Sequence, residues 1–505
     1  MVAPKYDKRV PMKSEFEERA RNIVPHGLGL SVDVYQPNLA ELVRALRLRG
    51  LNPGYLEVFK ATTPALEWVR RQWPHAKLPY HGEGLWLTQP DFRRSISGRE
   101  GVRETCDHVA VLKSAWSNHE GATKHIAGVA FGTYLPPLYT ELAARVTADN
   151  LRYLQWRLDR KAEAEGTIPS LALLEMPPLT YFACGSMAIP TFYRLVTEGA
   201  PCGLVLDIGH LWTVYRYTGA WRRESLESFT REFLHEFPLE RVIEIHVAGL
   251  AVHPCQAQTP DERDEQSGLP LWIDAHGAAI PDVLFESLRF VLKDSRLSTL
   301  KGVALEVDTK DIPTIASEFE RFSSEFSGIW RRWDRMESVQ DARSAACPGG
   351  AGSALADTVS AEERARLDHD YRRYAALLTT GDHRAVAGEI ALMAGVEDDL
   401  SRYREVYLPY ELLHWGGDLE QMFPATCAAL RQARVDLERF VAFWVQDSKP
   451  ETAPFDFFLL KIERFLEFVA KVCPSVVAEA QREAEELRVA YHAANEPAGR
   501  TEVGA

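Results

Sequence analysis

Cysteine is scarce in this sequence, and its few copies form no recognisable metal-binding or redox pair. Seven cysteines are scattered over 505 residues without a Cys-x-x-Cys spacing. A disulfide-stapled secreted domain is normally short and rich in cysteine, so reduced and mostly buried thiols are the simpler interpretation. The chain is therefore expected to be stabilised by a hydrophobic core, and its length suggests two or three domains.

Long apolar runs and basic clusters are also missing. No apolar run approaches the roughly 20 residues of a membrane span, and the N-terminus lacks the apolar segment of a signal peptide. The formal net charge is −14, and no stretch concentrates Lys and Arg, which argues against a protein that grips a phosphate backbone. We expect a cytoplasmic protein without a membrane or nucleic-acid partner.

The sequence pattern changes near residue 340. Before this point, short aliphatic or β-branched runs alternate with amphipathic stretches, which is typical of βα units around a parallel sheet. The runs begin at His26, Gly54, Leu78, His108, Ser170, Cys202, Arg241 and Lys301. Eight such runs predict an α/β fold, a closed (β/α)8 TIM-type barrel, as a metal-binding catalytic domain over residues 1–338.

The remainder of the chain has a different composition. Residues 339–357 are rich in small residues, Gly and Ser, and predict a linker. Residues 358–495 show nearly continuous helical periodicity, which predicts a separate all-α domain. Within it, Glu411 and His414 are three residues apart, but such a pair before Gly416 and Gly417 is more often a helix end than a metal site. No catalytic role is assigned to them.

Side chains that bind metals follow several of the predicted strands, at the carboxyl ends where the catalytic groups of parallel barrels collect. The candidates are His81, Glu175, Asp207, His210, His246, Asp274, His276 and Glu306. Any one of them alone would more often be a hydrogen-bonded or solvated residue. Carboxylates placed directly after apolar strands, however, are costly to bury without a cation. Eight donors exceed the needs of one transition ion, so the sequence predicts two or three bridged ions.

Two short spacings support this interpretation. Asp207 and His210 are three apart where a strand turns into a loop, and Gly209 permits a tight backbone path between them. Asp274 and His276 are alternate residues of an extended segment, so both side chains point to the same side. Each short segment can therefore offer two donors to one cluster.

With these residues located, the chain from about His26 to Glu320 resembles the multinuclear non-haem iron-dependent oxidative enzymes, barrel proteins that modify cysteine-containing peptides in natural-product pathways. The matching segments are HGLGL at 26–30, YHGEGL at 80–85, LLEMP at 173–177, GLVLDIGH at 203–210, EIHVAG at 244–249, IDAHGAAI at 273–280 and ALEVD at 304–308. The resemblance implies a TIM-type barrel, two or three iron ions and dioxygen as co-substrate. It also adds His125, in KHIAGVAFGTYLPPLYT at 124–140, as a catalytic candidate.

The sequence departs from the family pattern at three places. Met176 replaces an Asn, Leu250 replaces a His, and Leu112-Lys113 stands where the family has a Glu-His pair on the fourth strand. Because a protonated lysine cannot ligate a metal, one ion position is expected to be lost or rebuilt. Lys113 then becomes a catalytic candidate, for binding an anionic substrate group or positioning reduced oxygen. His119 and Glu120 could replace the pair, although solvated loops are the more common location of such residues.

Three functions remain open at this stage. The leading hypothesis is an iron-dependent oxidoreductase that uses dioxygen on a cysteine-containing peptide or a small metabolite, with a precursor peptide or a partner protein as its partner. The helical domain would present the substrate or replace a separate partner protein. The donor pattern is also similar to that of the xylose-isomerase-like superfamily, which leaves a redox-neutral isomerase, epimerase or hydrolase using Zn, Mn or Mg. A degenerate barrel that serves as a binding scaffold is the third hypothesis.

Overall fold

The computed structural model describes residues 12–179, 181–256, 271–340, 358–380, 397–446 and 455–495. Eight parallel strands form a closed barrel, as the sequence predicted. They are β1 (Gly27–Val32), β2 (Tyr55–Phe59), β3 (Tyr80–Gly82), β4 (Trp116–Glu120), β5 (Leu171–Glu175), β6 (Gly203–Asp207), β7 (Val242–Val247) and β8 (Gly302–Glu306). Each strand pairs with its neighbours in chain order, and β8 closes the barrel on β1, with Gly27 opposite Gly302.

Amphipathic helices follow the strands and bury their apolar stripes against them. Helix Leu39–Leu48 shows why: Asn38 accepts a hydrogen bond from the backbone N–H of Glu41 (3.1 Å), and Leu39, Leu42 and Leu46 are buried on one face. The other helices before residue 341 are Met12–Arg21, Thr63–Gln72, Ile96–Leu112, Glu141–Glu165, Ile189–Gly199, Ile208–Tyr217, Leu226–Glu236, Asp282–Val291 and Ile312–Gln340. No helix of the described segments is long and apolar enough to cross a bilayer.

The first helix closes the amino-terminal end of the barrel. Phe16 of this helix packs in one buried cluster with Tyr55, Trp116, Val205 and further inward-facing strand residues. The opposite, carboxyl-terminal end therefore remains for the functional groups, as in other barrels of this class.

The predicted fourth strand, starting at His108, is wrong. Residues from Ile96 to Leu112 form a helix that Ser95 caps by accepting from the N–H of Gly98 (3.0 Å), and the helix ends at Lys113 in a left-handed conformation (φ 52°). The strand is β4, Trp116–Glu120. A short run such as Val109–Leu112 has no periodicity that separates a strand from the buried turn of a helix.

Every regular element that the structure describes after residue 357 is a helix, which confirms the all-α prediction. Its helices are Ala361–Thr380, Glu397–Arg402, Leu408–His414, Leu419–Met422, Pro424–Gln432, Glu438–Gln446, Phe457–Val472 and Val477–Asn495, with a π-helical turn at Tyr403–Tyr407. The predicted linker falls mostly on residues 341–357, outside the described residues, and the domain boundaries stay predictions.

This helical region packs directly on the barrel. Trp444 donates its Nε1 hydrogen to the carbonyl of Ala130 (2.7 Å), and the Tyr374 hydroxyl donates to the carbonyl of Pro136 (3.3 Å). The guanidinium of Arg364 donates to the buried carboxylate of Asp149. Side chains from both parts share one hydrophobic core. The helical region thus lies against the segments that follow β4, near the carboxyl end of the barrel.

Candidate metal centre

The barrel brings all eight predicted metal-binding side chains together at its carboxyl end. His81 Nε2 lies 3.3 Å from Glu175 Oε2, and His246 Nδ1 lies 3.3 Å from Glu306 Oε1. His210 Nε2 is 3.4 Å from Asp274 Oδ2 and 4.0 Å from Asp207 Oδ1, while His276 Nε2 is 3.3 Å from Glu306 Oε2. Parallel strands deliver His81, Glu175, Asp207, His246 and Glu306 to one rim because inward-facing residues near the strand ends point to the same opening.

Three groups among the described residues have donor atoms close enough to hold a metal ion, with the atoms of each group within 4.8 Å of one another. The groups are Glu57, His81 and His246; His210, His276 and Glu306; and Glu175, Asp207, His210 and Glu306. The second and third groups share His210 and Glu306. The candidate ion positions are therefore adjacent, and a carboxylate could bridge them.

Local sequence explains how Asp207 and His210 reach the same cluster. Asp207 ends β6 and caps the next helix, because its Oδ1 accepts the backbone N–H of His210 (2.6 Å). His210 Nδ1 lies 2.5 Å from the carbonyl of Met176, which leaves Nε2 directed towards Asp274. Because that carbonyl is a hydrogen-bond acceptor, it favours the tautomer in which Nδ1 carries the proton and Nε2 has a free lone pair.

Asp274 and His276 do not come from a barrel strand. Strand Trp272–Asp274 pairs antiparallel with Leu250–Val252, and both belong to the connection between β7 and β8. His276 Nε2 lies 3.0 Å from Asp274 Oδ2, and its Nδ1 lies 2.6 Å from Asp308 Oδ1. Asp308 thus orients the imidazole from its far side.

Buried polar atoms without a hydrogen-bond partner concentrate in this cluster. Besides others elsewhere in the protein, the cluster contains Glu57 Oε1, His81 Nδ1, Glu175 Oε1, Asp207 Oδ2, His210 Nε2, His246 Nδ1 and Nε2, Asp274 Oδ1 and Glu306 Oε2. Some of these atoms lie within ion-pair distance of one another but without hydrogen-bond geometry. Unpaired buried polar atoms are rare in folded proteins because each costs free energy. Imidazole nitrogens and carboxylate oxygens are the ligands that first-row transition metals accept. The residues present therefore fit a multinuclear metal centre.

The electrostatics of the cluster reflect crowded carboxylates and imidazoles. Burial lowers the pKa of His81, but its hydrogen bond with Glu175 and the charge of Glu57 outweigh this and raise the pKa to about 9. Burial and the carboxylates of Glu306 and Asp274 raise the pKa of Asp207 to about 7, against the effect of His210. At His81 and Asp207 the surrounding carboxylates thus favour a bound proton, and a divalent cation would compensate the same negative charge.

Sequence reasoning missed several residues of the site because it considered only the ends of the strands. Glu57 lies in the middle of β2, where Ser31 Oγ donates to its Oε2 (2.6 Å) and His246 Nε2 lies 3.1 Å away. Glu244, two residues before His246, accepts from Tyr55 OH and Trp116 Nε1, both at 2.6 Å. The sequence could have indicated Glu244, because a residue two positions from the inward-facing His246 lies on the same face of the strand.

The position of β4 changes the interpretation of Lys113, which lies at the end of the preceding helix and not on the strand. His119 and Glu120 lie on β4 and not in a loop, so the placement of Leu112-Lys113 on the fourth strand is wrong. The loss or rebuilding of one ion position stays a prediction. Burial, together with the charge of Glu175, raises the pKa of Glu120 to about 8. The ring of His119 packs against Gly82, where a Cβ atom would clash with it. Lys113 instead lines a cavity of about 580 Å³ with Arg19 and Ser170, at the amino-terminal end of the barrel. The structure does not bring Lys113 to the cluster.

His125 lies beyond the carboxyl end of β4. It belongs to strand Thr123–Ile126, which pairs antiparallel with Val129–Leu135. The groups of described residues that could hold a metal do not include it. His125 is thus a residue of the rim and not of the cluster, and its catalytic role stays a prediction.

Comparison with known proteins identifies relatives of the barrel. Residues 55–324 match the family model described as "RiPP precursor modification enzyme MbnB/TglH/ChrH". A UPF0276 protein of Paraburkholderia phytofirmans is 29% identical over 178 residues, which cover 35% of this chain and 46% of that protein. Another UPF0276 protein, from Rhizobium meliloti, is 25% identical over 226 residues, covering 43% and 64% respectively. The chain thus spans about half to two thirds of the length of these curated relatives.

The matches to solved structures are more distant. Endonuclease IV from Thermus thermophilus has 15% identity and a TM-score of 0.34, and the match covers 61% of this chain and 99% of that one. D-psicose 3-epimerase from Clostridium cellulolyticum has 12% identity and a TM-score of 0.32, covering 70% and 99%. At this level of similarity, neither reaction transfers to this chain.

Proposed function

The chain belongs to the MbnB/TglH/ChrH family of RiPP precursor modification enzymes, and from this premise we propose that it oxidatively modifies a cysteine-containing precursor peptide at a multinuclear iron centre. Dioxygen would be the co-substrate. The observation that carries the proposal is the concentration of unpaired, buried imidazole and carboxylate atoms at the carboxyl end of the barrel. A cluster of this composition is costly to maintain unless cations bind it.

The ligands we assign are His81, Glu175, Asp207, His210, His246, Asp274, His276 and Glu306, and we add Glu57 as a direct ligand or as a support for His246. The three donor groups and their shared members favour two or three adjacent ions over a single one. Bound iron would supply one-electron redox chemistry and the activation of dioxygen, which protein side chains cannot supply.

The role of the surrounding side chains is to orient these donors. Asn118 donates an amide hydrogen to Glu175 Oε2, which leaves Glu175 Oε1 without a hydrogen-bond partner. Glu57 lies at Nε2 of His246, whose Nδ1 lies 3.2 Å from Glu175 Oε1. Carboxylate and carbonyl partners on the far nitrogen of an imidazole fix its orientation and increase its basicity. Phe16 and Trp116, below the cluster, keep water out from the other end of the barrel.

The proposed substrate is a peptide because the family acts on precursor peptides. The helical region packs beside the same end of the barrel as the cluster, so it could present the peptide or take the place of a separate partner protein. The other end of the barrel is filled by the first helix. A peptide would therefore have to approach from the carboxyl-terminal rim.

Purification under anaerobic conditions, metal analysis and optical spectra before and after exposure to air provide the test. We expect about two to three iron ions per chain and spectral changes on adding oxygen. The reaction itself is assayed as oxygen consumption and as a mass change of short cysteine-bearing peptides offered as substrates. A colourless protein that carries only zinc or magnesium would contradict the iron assignment. Turnover that does not depend on oxygen would indicate a redox-neutral reaction, and failure to retain any metal would indicate a binding scaffold.

A further inference from the structure

The strand pair that carries Asp274 lies outside the barrel sheet, and on one side it packs on helix Ile208–Tyr217. There the Tyr217 hydroxyl donates to the carbonyl of Trp272 (3.0 Å), and the Trp212 and Trp272 ring centroids lie 5.3 Å apart. Leu250 pairs with Asp274, Ala251 with Ile273 and Val252 with Trp272, but no barrel strand continues this two-stranded sheet. Isolated two-stranded pairs are marginally stable in water. Metal donors must nevertheless be held within a few tenths of an ångström to be useful. Other contacts must therefore hold this strand pair in place.

The helical region supplies contacts of this kind through His253, the residue directly after the strand pair. The His253 ring is fully buried, and its centroid lies 4.3 Å from that of Tyr407, 5.3 Å from that of Tyr410 and 5.7 Å from that of Trp415. Burial lowers the pKa of His253 to about 4, so this imidazole is neutral at pH 7. His253 therefore acts as an aromatic ring packed into the helical region.

A buried carboxyl group joins the same contact. Glu411 Oε1 accepts a hydrogen bond from Tyr181 OH (2.5 Å) and lies 4.0 Å from His253 Nε2. Tyr181 follows β5, so Glu411 contacts the connections after two different barrel strands. Burial raises the pKa of Glu411 to about 8, so the carboxyl group is mostly protonated at neutral pH. The contact therefore carries little buried charge.

The helix geometry explains why these groups face the barrel together. Tyr403, Tyr407 and Glu411 are spaced four residues apart across a π-helical turn, Tyr403–Tyr407, that leads into helix Leu408–His414. Tyr181 packs on both tyrosines, with ring centroids 4.8 Å from Tyr403 and 4.6 Å from Tyr407. Single π-helical turns are rare and frequently occur at functional sites.

From these contacts we propose that residues 403–415 of the helical region are a positioning element of the metal centre. They hold His253, and through the strand pair they hold Asp274 beside His210. The inference rests on the proposed metal centre and adds a role for the helical region. It assigns no chemistry to Glu411 or His253, which touch neither substrate nor metal and act through Asp274.

Binding of Co²⁺ to the metal-free protein tests this role, because the visible bands of Co²⁺ report the number and geometry of its ligands. The test variants are His253→Ala and Glu411→Ala, and Asp274→Ala is the reference for a lost ligand. Tyr374→Phe is the matched control, since it removes one buried hydrogen bond between the helical region and the barrel without touching the strand pair. Glu411→Gln is the conservative variant, because its side-chain oxygen still accepts from Tyr181.

We expect His253→Ala and Glu411→Ala to weaken Co²⁺ binding about 10-fold or more and to shift the spectrum towards that of Asp274→Ala. Tyr374→Phe and Glu411→Gln should bind and absorb as the wild type does. If both alanine variants titrate like the wild type while their melting temperatures fall, the helical region is a structural support only and the inference is wrong.

Should His253→Ala fail to fold, Tyr407→Leu gives the same comparison, because it removes a ring packed on His253 but keeps apolar volume. A wild-type spectrum and affinity in Tyr407→Leu would equally overturn the inference. A wild-type protein that binds no Co²⁺ would instead overturn the proposed metal centre, and the inference with it.

Discussion

Glu57 Oε2 lies 3.1 Å from Nε2 of His246, while the other nitrogen of the same imidazole, Nδ1, lies 3.2 Å from Glu175 Oε1. The ring is thus held between a carboxylate from β2 and a carboxylate from β5. Ser31 fixes Glu57 in turn through a hydrogen bond of 2.6 Å. This arrangement makes Glu57 part of the site although it lies in the middle of a strand.

Replacing Glu57 tests this relationship. Glu57→Gln keeps the size of the side chain but removes its charge, so we expect metal affinity to fall about 10-fold, and Glu57→Ala to lower it further. Metal content after dialysis against a weak chelator measures the effect. Ser31→Ala is the control, and it should cause a smaller loss because it only releases one hydrogen bond of Glu57. An unchanged metal content in Glu57→Ala would exclude a role for this residue.

Metal removal should destabilise the barrel. Without a cation, the carboxylates of Glu175, Asp207 and Glu306 face one another in a buried space. A metal present at 100 times its dissociation constant would stabilise the fold by about 2.7 kcal/mol. We expect the melting temperature to fall on addition of a chelator and to recover with Fe²⁺ under anaerobic conditions. A chelator that lowers the melting temperature of Glu175→Ala as much as that of the wild type would contradict this explanation.

Substitutions of Lys113 test whether this residue ends a helix before β4 or belongs to the metal centre. It ends helix Ile96–Leu112 with φ 52°, a left-handed conformation that costs about 1 kcal/mol for a residue with a Cβ atom. Lys113→Gly should therefore raise the free energy of unfolding by about 0.5–1 kcal/mol, measured with urea, and leave the metal content unchanged. Lys113→Ala, which keeps the strain but removes the amine, serves as the control. If both variants lost bound metal, Lys113 would have to be assigned to the metal centre.

We expect the contact between the helical region and the barrel to weaken at low pH, because the Asp149 carboxylate becomes protonated there. Burial raises the pKa of Asp149, but hydrogen bonds from Thr358 and the charges of Arg93 and Arg364 outweigh this and hold it below the usual value. The stabilisation is therefore complete above the unfolded-state pKa of about 3.9 and is lost as the pH falls through the lower folded-state pKa.

Asp149→Asn provides the corresponding measurement. At pH 7, we expect the substitution to lower the free energy of unfolding by about 3 kcal/mol, because it removes the charge of Asp149 from its ion pair with the buried guanidinium of Arg364. The difference from wild type should shrink as the pH is lowered past 4. Arg145→Gln, which breaks the exposed ion pair with Glu363, should change stability by less than about 1 kcal/mol at either pH. A pH-independent effect of Asp149→Asn would contradict the ion-pair explanation.

Much of the site could be predicted from sequence because the relevant information is local. The end of an apolar run marks the rim of the barrel, so Glu175, Asp207 and Glu306 could be placed before the fold was known. The spacing of Asp274 and His276 likewise predicted two donors close together, although His276 lies in a turn after the strand and not in an extended segment. His108 illustrates the limit, since a short apolar run near it is compatible with either a strand or a buried helix.

The sequence by itself determined the barrel class, seven of the eight strands and the rim residues that follow them, since each follows from the periodicity of neighbouring side chains. Only the tertiary structure decided that Glu57 faces His246, that β4 carries Glu120, and that Glu411 contacts the connection carrying His253. These contacts join residues more than 100 positions apart, and their distances depend on how the barrel closes and how the helices pack on it. No periodicity of the chain encodes such distances, because they arise from the simultaneous packing of elements that are remote in sequence.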